Sequence, residues 1–312
     1  MTKTFDTAYH APVLAGEVVE LLRSAKSVLD GTLGGGGHAT ALLESGVPHV
    51  IGIDRDPEAV AAARARLERF EREGRFRAVL GNYADANELV IDPGAELFDG
   101  ILLDLGISSR QIDTEMRGFT FREGAPLDMR MQSEGVTAAD LLNTLSEREL
   151  ASVFRGLGDE PRGGRLAREI VRRRATVPFA TSDDLVRAIR GALGPRTGPA
   201  DFARLFQAVR IAVNDELDGL GRALPELRDR LATGGILVVI TYHSGEDRLV
   251  KHAFREWSAD CVCPPKQPVC TCRGHSLGET LTRRGVSPTE EEIARNPRSR
   301  SARLRAWKKH GA

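Results

Sequence analysis

The segment Val28 to His38, VLDGTLGGGGH, constrains the fold of this chain more than any other. A short apolar strand runs into five glycines within seven residues, and a helical pattern follows at Ala39 to Glu44. Glycines this dense at a strand-to-helix turn let backbone approach a ligand closely, because no Cβ stands in the way. The helix behind them points free N–H groups at whatever sits there. The arrangement suits a nucleotide or an adenosyl group, although a glycine run alone also describes a plain turn.

The rest of the chain repeats the strand–helix alternation. An amphipathic helix with Val18, Val19, Leu21 and Leu22 precedes the first strand, and Val50 to Asp54 (VIGID) is a second strand ending in a carboxylate. Asp56-Pro57 supplies an N-cap and a first-turn proline. The helix they open carries Val60, Ala63, Leu67 and Phe70 on one stripe. Phe76 to Leu80 is a third strand and Phe98 to Leu105 (FDGILLDL) a fourth, the latter carrying Asp104 near its end. Apolar strands alternating with helices imply an α/β fold with a parallel, doubly wound sheet, whose ligands lie at the carboxyl ends of the strands.

After Asp104 the pattern changes. Gly106 to Met131 reads as a functional loop. Helices are expected at Ala138–Thr144, Glu147–Gly156, Arg165–Ala175, Ser182–Leu193 and from Phe202 onward, with Ser182-Asp183-Asp184 as an N-cap. A helix over Leu220 to Leu231, a turn at Ala232 to Gly235 and a strand over Ile236 to Thr241 then restore the α/β pattern. Tyr242 to Arg248 (YHSGEDR) follows as a cap, Leu249 to Trp257 as a helix, and Ser301 to Trp307 as a last strand. The expected division is residues 1–133 and 212–312 for the sheet domain and residues 134–211 for an all-helical insertion domain.

Composition narrows the class. The chain has 312 residues, 41% hydrophobic and 28% charged, as in an ordinary globular enzyme. Its longest apolar runs are strand-sized and too short to span a bilayer. The N-terminal MTKTFDTAYHAP lacks the apolar core of a signal peptide, so a cytoplasmic protein without membrane attachment is expected. Basic and acidic residues balance at 44 each, but seven basic residues lie between Arg295 and Lys309 with no acidic one. Arg162 to Arg174 holds six arginines against one glutamate. Two such clusters suggest a local phosphate-binding footprint, the plainer alternative being solvated faces.

Two cofactor classes use a glycine turn plus an acid at the end of the second strand, the dinucleotides and S-adenosylmethionine, and in both the acid meets ribose hydroxyls. The unbroken Gly34 to Gly37 followed by His38-Ala39-Thr40 fits the dinucleotide spacing poorly. Asp30 at the end of the first strand suits the ammonium of a methionine-type ligand. Asp56 already serves as N-cap, which leaves Asp54 for a ligand. Asp104 stands where a methyl acceptor would meet a donor. An exocyclic amine on a base is a poor nucleophile, and a carboxylate accepting from its N–H favours the pyramidal nitrogen that attacks. Orientation adds about 7–11 kcal/mol. The alternative for Asp104 is a strand-end residue capping the next turn.

Several stretches together are similar to one family. HAPVLAGEV, DGTLGGGGHA, GIDRDP, GILLDLGISSRQID, RGFTF, PLDMRM, FQAVRIAVNDEL, YHSGEDR and NPRSRSARLRA, from His10 to Arg305, resemble the RsmH (MraW) family of 16S rRNA (cytosine-N4)-methyltransferases. The resemblance implies a class I (Rossmann-like) methyltransferase sheet with a helical insertion domain. It implies methylation of cytidine 1402 of 16S rRNA in the decoding centre, with S-adenosylmethionine as donor. The rRNA itself, within the 30S subunit or naked, is the implied partner. Oligomeric state stays open, with a homodimer as one arrangement.

By the same resemblance Gly35, Gly36, Gly37 and His38 wrap the methionine end of the donor, Asp54 holds the ribose, and Tyr83 lies against the adenine. Asp104 and Gln111 complete the pocket, with Asp104 also near the target amine. Ala39 and Gly245 depart from the common family residues. His243, Glu246 and Asp247 could read as an acid/base cluster, but methyl transfer needs no strong general base, so a structural or RNA-positioning role is expected, and Arg130 either contacts phosphate or ties down its loop. Competing readings are a nicotinamide-dependent oxidoreductase, disfavoured by the glycine spacing, and a non-enzymatic RNA-binding module, disfavoured by intact Gly37, Asp54 and Asp104.

All four cysteines, Cys261, Cys263, Cys270 and Cys272, fall in a C-x-C-x6-C-x-C segment stiffened by Pro264, Pro265 and Pro268. Four thiols this close in a reducing compartment point to a tetrahedral zinc ion rather than disulfides, though C-x-C is tighter than the usual C-x2-C.

Overall fold

The computed structural model describes residues 12–90, 97–264, 267 and 269–311. His10 and Ala11 of the first family motif, and Pro265 and Pro268 of the cysteine segment, lie outside the described residues. The chain forms two compact units, Met1–Gly106 with Leu217–Ala312, and Ile107–Glu216.

The first unit is a seven-stranded sheet. Its strands are β1 (Ser27–Asp30), β2 (His49–Asp54), β3 (Phe76–Leu80), β4 (Phe98–Asp104), β5 (Leu231–Thr241), β6 (Gly278–Thr280) and β7 (Arg303–Lys309). They lie in the order β3-β2-β1-β4-β5-β7-β6. β1 to β5 pair in parallel, while β7 runs antiparallel to both β5 and β6. This is an α/β, Rossmann-like fold of the class I methyltransferase type. Its helices are α1 (Ala15–Leu22), α2 (Gly37–Glu44), α3 (Pro57–Arg72), α4 (Ala86–Leu89), α11 (Glu216–Asp229), α12 (Ser244–Trp257) and α13 (Glu290–Arg295).

Because strand side chains alternate, each central strand feeds two cores. On one face Val28, Leu102, Val238, Ile240 and Leu304 pack with Leu22 of α1, Leu42 of α2 and Leu67 of α3. On the other, Leu29, Ile101, Leu103, Leu237, Val239 and Trp307 pack with Leu220, Leu224 and Leu227 of α11 and Val250, Phe254 and Trp257 of α12. Trp307, fully buried, meets Trp257 edge-on with ring centroids 5.2 Å apart.

Three expectations are corrected here. The Ala232–Gly235 segment is not a turn before the strand but an irregularity inside β5, where the partner of Phe98 is Leu231 and that of Gly100 is Ile236. The helix expected at Leu249 already begins at Ser244, so YHSGEDR supplies its N-cap and first turns. The last strand ends two residues later than expected, at Lys309.

The second unit is helical: α5 (Ser109–Asp113), α6 (Ala138–Thr144), α7 (Glu147–Gly156), α8 (Gly163–Arg174), α9 (Ser182–Leu193) and α10 (Pro199–Asn214). Its core joins Leu142, Leu150, Phe154, Leu166, Ile170, Leu185, Ile189, Leu205 and Val209. Thr137 and Ser146 open α6 and α7 with capping boxes. The N-cap of α9 is Thr181, one residue before the expected Ser182, because Asp184 reaches back to accept the Thr181 N–H at 2.9 Å.

The PLDMRM segment belongs to this unit. Leu127 and Met129 enter its core. Asn214 clamps the backbone on both sides, accepting the Met131 N–H at 2.9 Å and donating to the Met129 carbonyl at 2.8 Å. Arg130 donates to both carboxylate oxygens of Asp128, at 2.9 and 2.7 Å, and to the Ser133 carbonyl. These bonds tie down the loop.

Several residues of the basic clusters are engaged within the protein, while Arg295, Arg298, Arg300 and Arg303 are exposed. Glu169 accepts from Arg172 and Arg173, whose hydrogen bonds pull its carboxyl down to about 2. Arg174 donates to the Leu142 carbonyl and Arg162 to that of Leu193. In β7, buried Arg305 makes two bonds to Asp247 of α12, at 2.7 and 2.9 Å. Much of the arginine density therefore stitches helices and strands together. Among the described residues no helix is long and apolar enough to cross a membrane.

Candidate functional site

Strand order reverses between β1 and β4, which lie side by side although far apart in the chain. A parallel sheet opens a crevice at such a switch point. The two strands end in Asp30 and Asp104. Thr32 ties the tips together: its N–H donates to Asp30 Oδ1 at 3.2 Å and its hydroxyl oxygen accepts the Asp104 N–H at 2.6 Å. Sequence reasoning passed over Thr32: Asp30 accepting the N–H two residues on is an Asx-turn, but the hydroxyl's partner lies 72 residues away and leaves no local signal.

Asp30 is 1% exposed, and among the described residues its Oδ2 has no hydrogen-bond partner. Burial pushes its carboxyl up to about 7, against the lowering pull of His38 and the Thr32 N–H. A buried carboxylate oxygen left without a donor is costly, and among the described residues none supplies that donor.

Asp104 keeps 22% of its side chain open to solvent. Partial burial pushes it up to about 7 as well, while the Tyr242 hydroxyl, donating to Oδ1 at 2.9 Å, pulls it down. Tyr242 opens the YHSGEDR motif just beyond β5, and sequence reasoning gave it no role. Its hydroxyl is itself driven well above the ordinary range, first by burial and then by the Asp104 charge, so it stays a donor.

His38, in the first turn of α2, is buried and its Nε2 donates to the Val13 carbonyl at 2.9 Å. Burial lowers its pKa, so the ring is neutral near pH 7. With the proton on Nε2, the bare Nδ1 faces Asp104 Oδ2 at 3.7 Å. His38 and Tyr242 thus frame the two oxygens of Asp104 with a lone pair on one side and a hydroxyl on the other.

Asp54, at the tip of β2, organises the glycine loop. Its Oδ2 accepts the Gly34 N–H at 2.7 Å and its Oδ1 the Asp56 N–H at 2.9 Å. Burial raises its pKa and these two N–H groups lower it. Each oxygen keeps a lone pair for a further donor. Asp56 caps α3 through the Glu58 N–H, as the sequence indicates. Gly36 caps α2 at φ 77°, and a Cβ there would stand 3.1 Å from Leu67 and 3.3 Å from Ala63. Being glycine, it offers no side-chain acceptor to the first-turn N–H groups of α2. Gly37 runs against Pro12, 3.3 Å from where a Cβ would sit, and the Gly35 carbonyl accepts from Arg66.

Tyr83 opens a short 3-10 turn after β3, and its Cβ lies 3.0 Å from where a Cβ on Gly31 would be. The sheet unit therefore gathers Asp30, the glycine loop with His38, Asp54, Tyr83 and Asp104 at one end of its strands. Gln111 belongs to the second unit, where its Oε1 accepts the Ser108 N–H at 2.9 Å in the capping box of α5.

His243, Glu246 and Asp247 do structural work. His243 caps α12 through Nδ1, Glu246 Oε2 accepts the Tyr242 N–H at 2.8 Å, and Asp247 holds Arg305. Glu246 thereby fixes the backbone from which Tyr242 reaches Asp104. The four cysteines lie together outside this region, between α12 and β6.

Comparison with known proteins bears on this arrangement. The sequence model of the MraW methylase family matches residues 7–310. A ribosomal RNA small subunit methyltransferase H of Gemmatimonas aurantiaca is 64% identical over 301 residues, covering 96% of this chain and 95% of that protein. One from Anaeromyxobacter sp. (strain K) is 47% identical over 305 residues, covering 96% and 97%. Among solved structures, an rRNA methylase from Streptococcus thermophilus superposes at a TM-score of 0.42 with 11% identity, over 95% of this chain and 94% of that one. With a family model matched over nearly its whole length and relatives this similar from end to end, the chain belongs to the MraW methylase family.

Proposed function

We propose that this protein transfers a methyl group from S-adenosylmethionine to the exocyclic N4 of a cytosine in small-subunit rRNA, cytidine 1402 of the decoding centre. The observation that carries the reading is the pair of aspartates at the switch point. One has a buried oxygen without a donor among the described residues. The other is partly open, with a proton affinity near neutrality. Membership of the MraW methylase family and the named activity of the relatives supply the substrate class.

The residues present fit such a donor. Asp30 Oδ2 would receive the ammonium of its methionine end, and the glycine loop of residues 34–37 would let backbone lie against it. Asp54 would accept from the ribose hydroxyls and Tyr83 would cover the adenine. When bound, the donor supplies a methyl on a sulfonium, an excellent leaving group that calls for neither metal nor covalent intermediate. Asp104 accepts a hydrogen bond from the target N–H, orients the nitrogen lone pair and takes up its proton. Tyr242 holds the carboxylate in place, and the neutral His38 shares the proton side of the site. The role of Gln111 rests on the family resemblance alone. A target base has to leave its stack to reach Asp104, as in other enzymes that modify bases.

The test is methyl transfer from labelled donor to 30S subunits and to naked rRNA from a strain lacking the endogenous enzyme, followed by mass analysis of nuclease fragments. The expected product is N4-methylcytidine at position 1402, lost at least a hundredfold with Asp104→Ala. Incorporation at another atom or base, or near-normal turnover by that variant, overturns the assignment.

A further inference from the structure

The cysteine segment plays no part in the proposed reaction, yet its geometry is specific. Cys261 and Cys263 follow the end of α12, and Cys270 and Cys272 precede β6. The four sulfurs all lie within 4.8 Å of one another, and none is in a disulfide. The Sγ–Sγ distances are 3.8 Å for Cys261–Cys270, 3.8 Å for Cys261–Cys272, 3.9 Å for Cys263–Cys270 and 3.4 Å for Cys270–Cys272. Four sulfurs placed tetrahedrally around zinc at about 2.3 Å stand roughly 3.8 Å apart. The Val262 N–H points at Cys272 Sγ at 3.4 Å, the kind of backbone donor that steadies a ligating thiolate.

Apolar burial does not explain the convergence. Among the described residues from 260 to 275, none belongs to a hydrophobic core, and Val262 and Val269 are 41% and 70% exposed. Thiols gain little from mutual approach in water, and thiolates repel. A segment with no core of its own needs a staple to hold one shape. The base of the segment is already tied. Arg273 donates to the Ala259 carbonyl at 3.2 Å and to that of Glu256, joining the second pair of cysteines to the end of α12.

We propose that Cys261, Cys263, Cys270 and Cys272 bind one zinc ion as a closed tetrathiolate site, a structural staple between α12 and β6 separate from the methyl-transfer site. Binding releases the four thiol protons to solvent as four Zn–S bonds form, leaving a dianionic centre beside Arg273. No coordination position remains for water or substrate. Cys261 and Cys270 are exposed, and a redox-inert ion suits thiolates in contact with solvent.

The test uses the full-length chain prepared without chelator or histidine tag. Elemental analysis is expected to find about one zinc per chain, falling at least tenfold in the Cys263→Ser/Cys270→Ser double variant. Removing the metal and adding cobalt(II) should give the intense absorption of a tetrahedral tetrathiolate in the wild type and not in the variant. S-adenosylhomocysteine should still raise the melting temperature of that variant, which keeps this outcome distinct from failure of the donor site. Less than a tenth of an equivalent of zinc together with no cobalt uptake overturns the proposal. So does iron in place of zinc, or a zinc content the double variant leaves unchanged.

Discussion

At the scale of single residues, the site is organised by carboxylates whose proton affinities are displaced by burial. Asp104 must be ionised to accept from an amine, and its carboxyl is pushed up to about 7. Turnover should therefore rise with pH through the neutral range and level off above it. Tyr242→Phe removes the hydroxyl that favours the ionised form. That limb should then move upward by about one pH unit, with about a fivefold loss of kcat at pH 7 and little change in donor affinity. A pH–rate profile of both proteins decides it, and an unshifted limb would remove the positioning role. Asp30 carries a different signature. Its folded-state carboxyl titrates near 7, against 3.8 ordinarily. A group raised in this way destabilises the folded form progressively as pH climbs from about 4 to 7, and constantly above. Asp30→Asn should thus weaken donor binding at least tenfold. It should also raise stability by about 2–4 kcal/mol at pH 8, and by clearly less at pH 5. Denaturant melts at the two pH values provide the comparison, and an equal gain at both would contradict the assigned shift.

Among elements, the contact between β7 and α12 shows what one C-terminal arginine does. Arg305 lies in the antiparallel strand that completes the sheet, with a side chain 5% exposed, and its two bonds to Asp247 join strand to helix. Removing Arg305 leaves the Asp247 carboxylate without its partner at a partly exposed site, its side chain 22% exposed. Arg305→Ala should cost about 1.5–3 kcal/mol, and pairing it with Asp247→Asn should recover part of that loss. Strict additivity in a double-mutant cycle would show that the pair is not coupled. The same logic places Glu246 and His243 with the fold: they fix the start of α12 and, through the Tyr242 backbone, the hydroxyl that meets Asp104.

For the whole molecule, the two compact units have separate cores. Among the described residues the helical core draws on residues between Leu127 and Val209, with partly buried neighbours from Phe119 to Val213. Asn214 and the Arg210–Glu216 pair, whose two bonds are both 2.9 Å, close its C-terminal end from within. Residues 107–216 expressed alone should consequently fold, with helical circular dichroism and one cooperative melt. A gradual, non-cooperative loss of signal would show that this core needs the sheet unit.

Much of this was legible in the sequence because the physics that fixes it is local. Period-two and period-3.6 apolar patterns, Asp56-Pro57 ahead of α3 and the glycine run after β1 each act within a few residues. They determined the parallel sheet, most helices and the strand-tip positions of Asp30, Asp54 and Asp104. Chemistry that depends on partners distant in the chain was decided only by tertiary structure. Tyr242 lies 138 residues from Asp104, and Asn214 lies 85 from Met129. Arg305, which reads as part of a basic run, is spent on Asp247. The Ala232–Gly235 segment shows the same limit in the backbone: its glycines signal a turn, yet ladder bonds to β4 on either side hold it within β5. Sequence spells out what each segment can form by itself; which polar groups finish beside one another, and hence their proton affinities, follows from burial and packing of the folded chain.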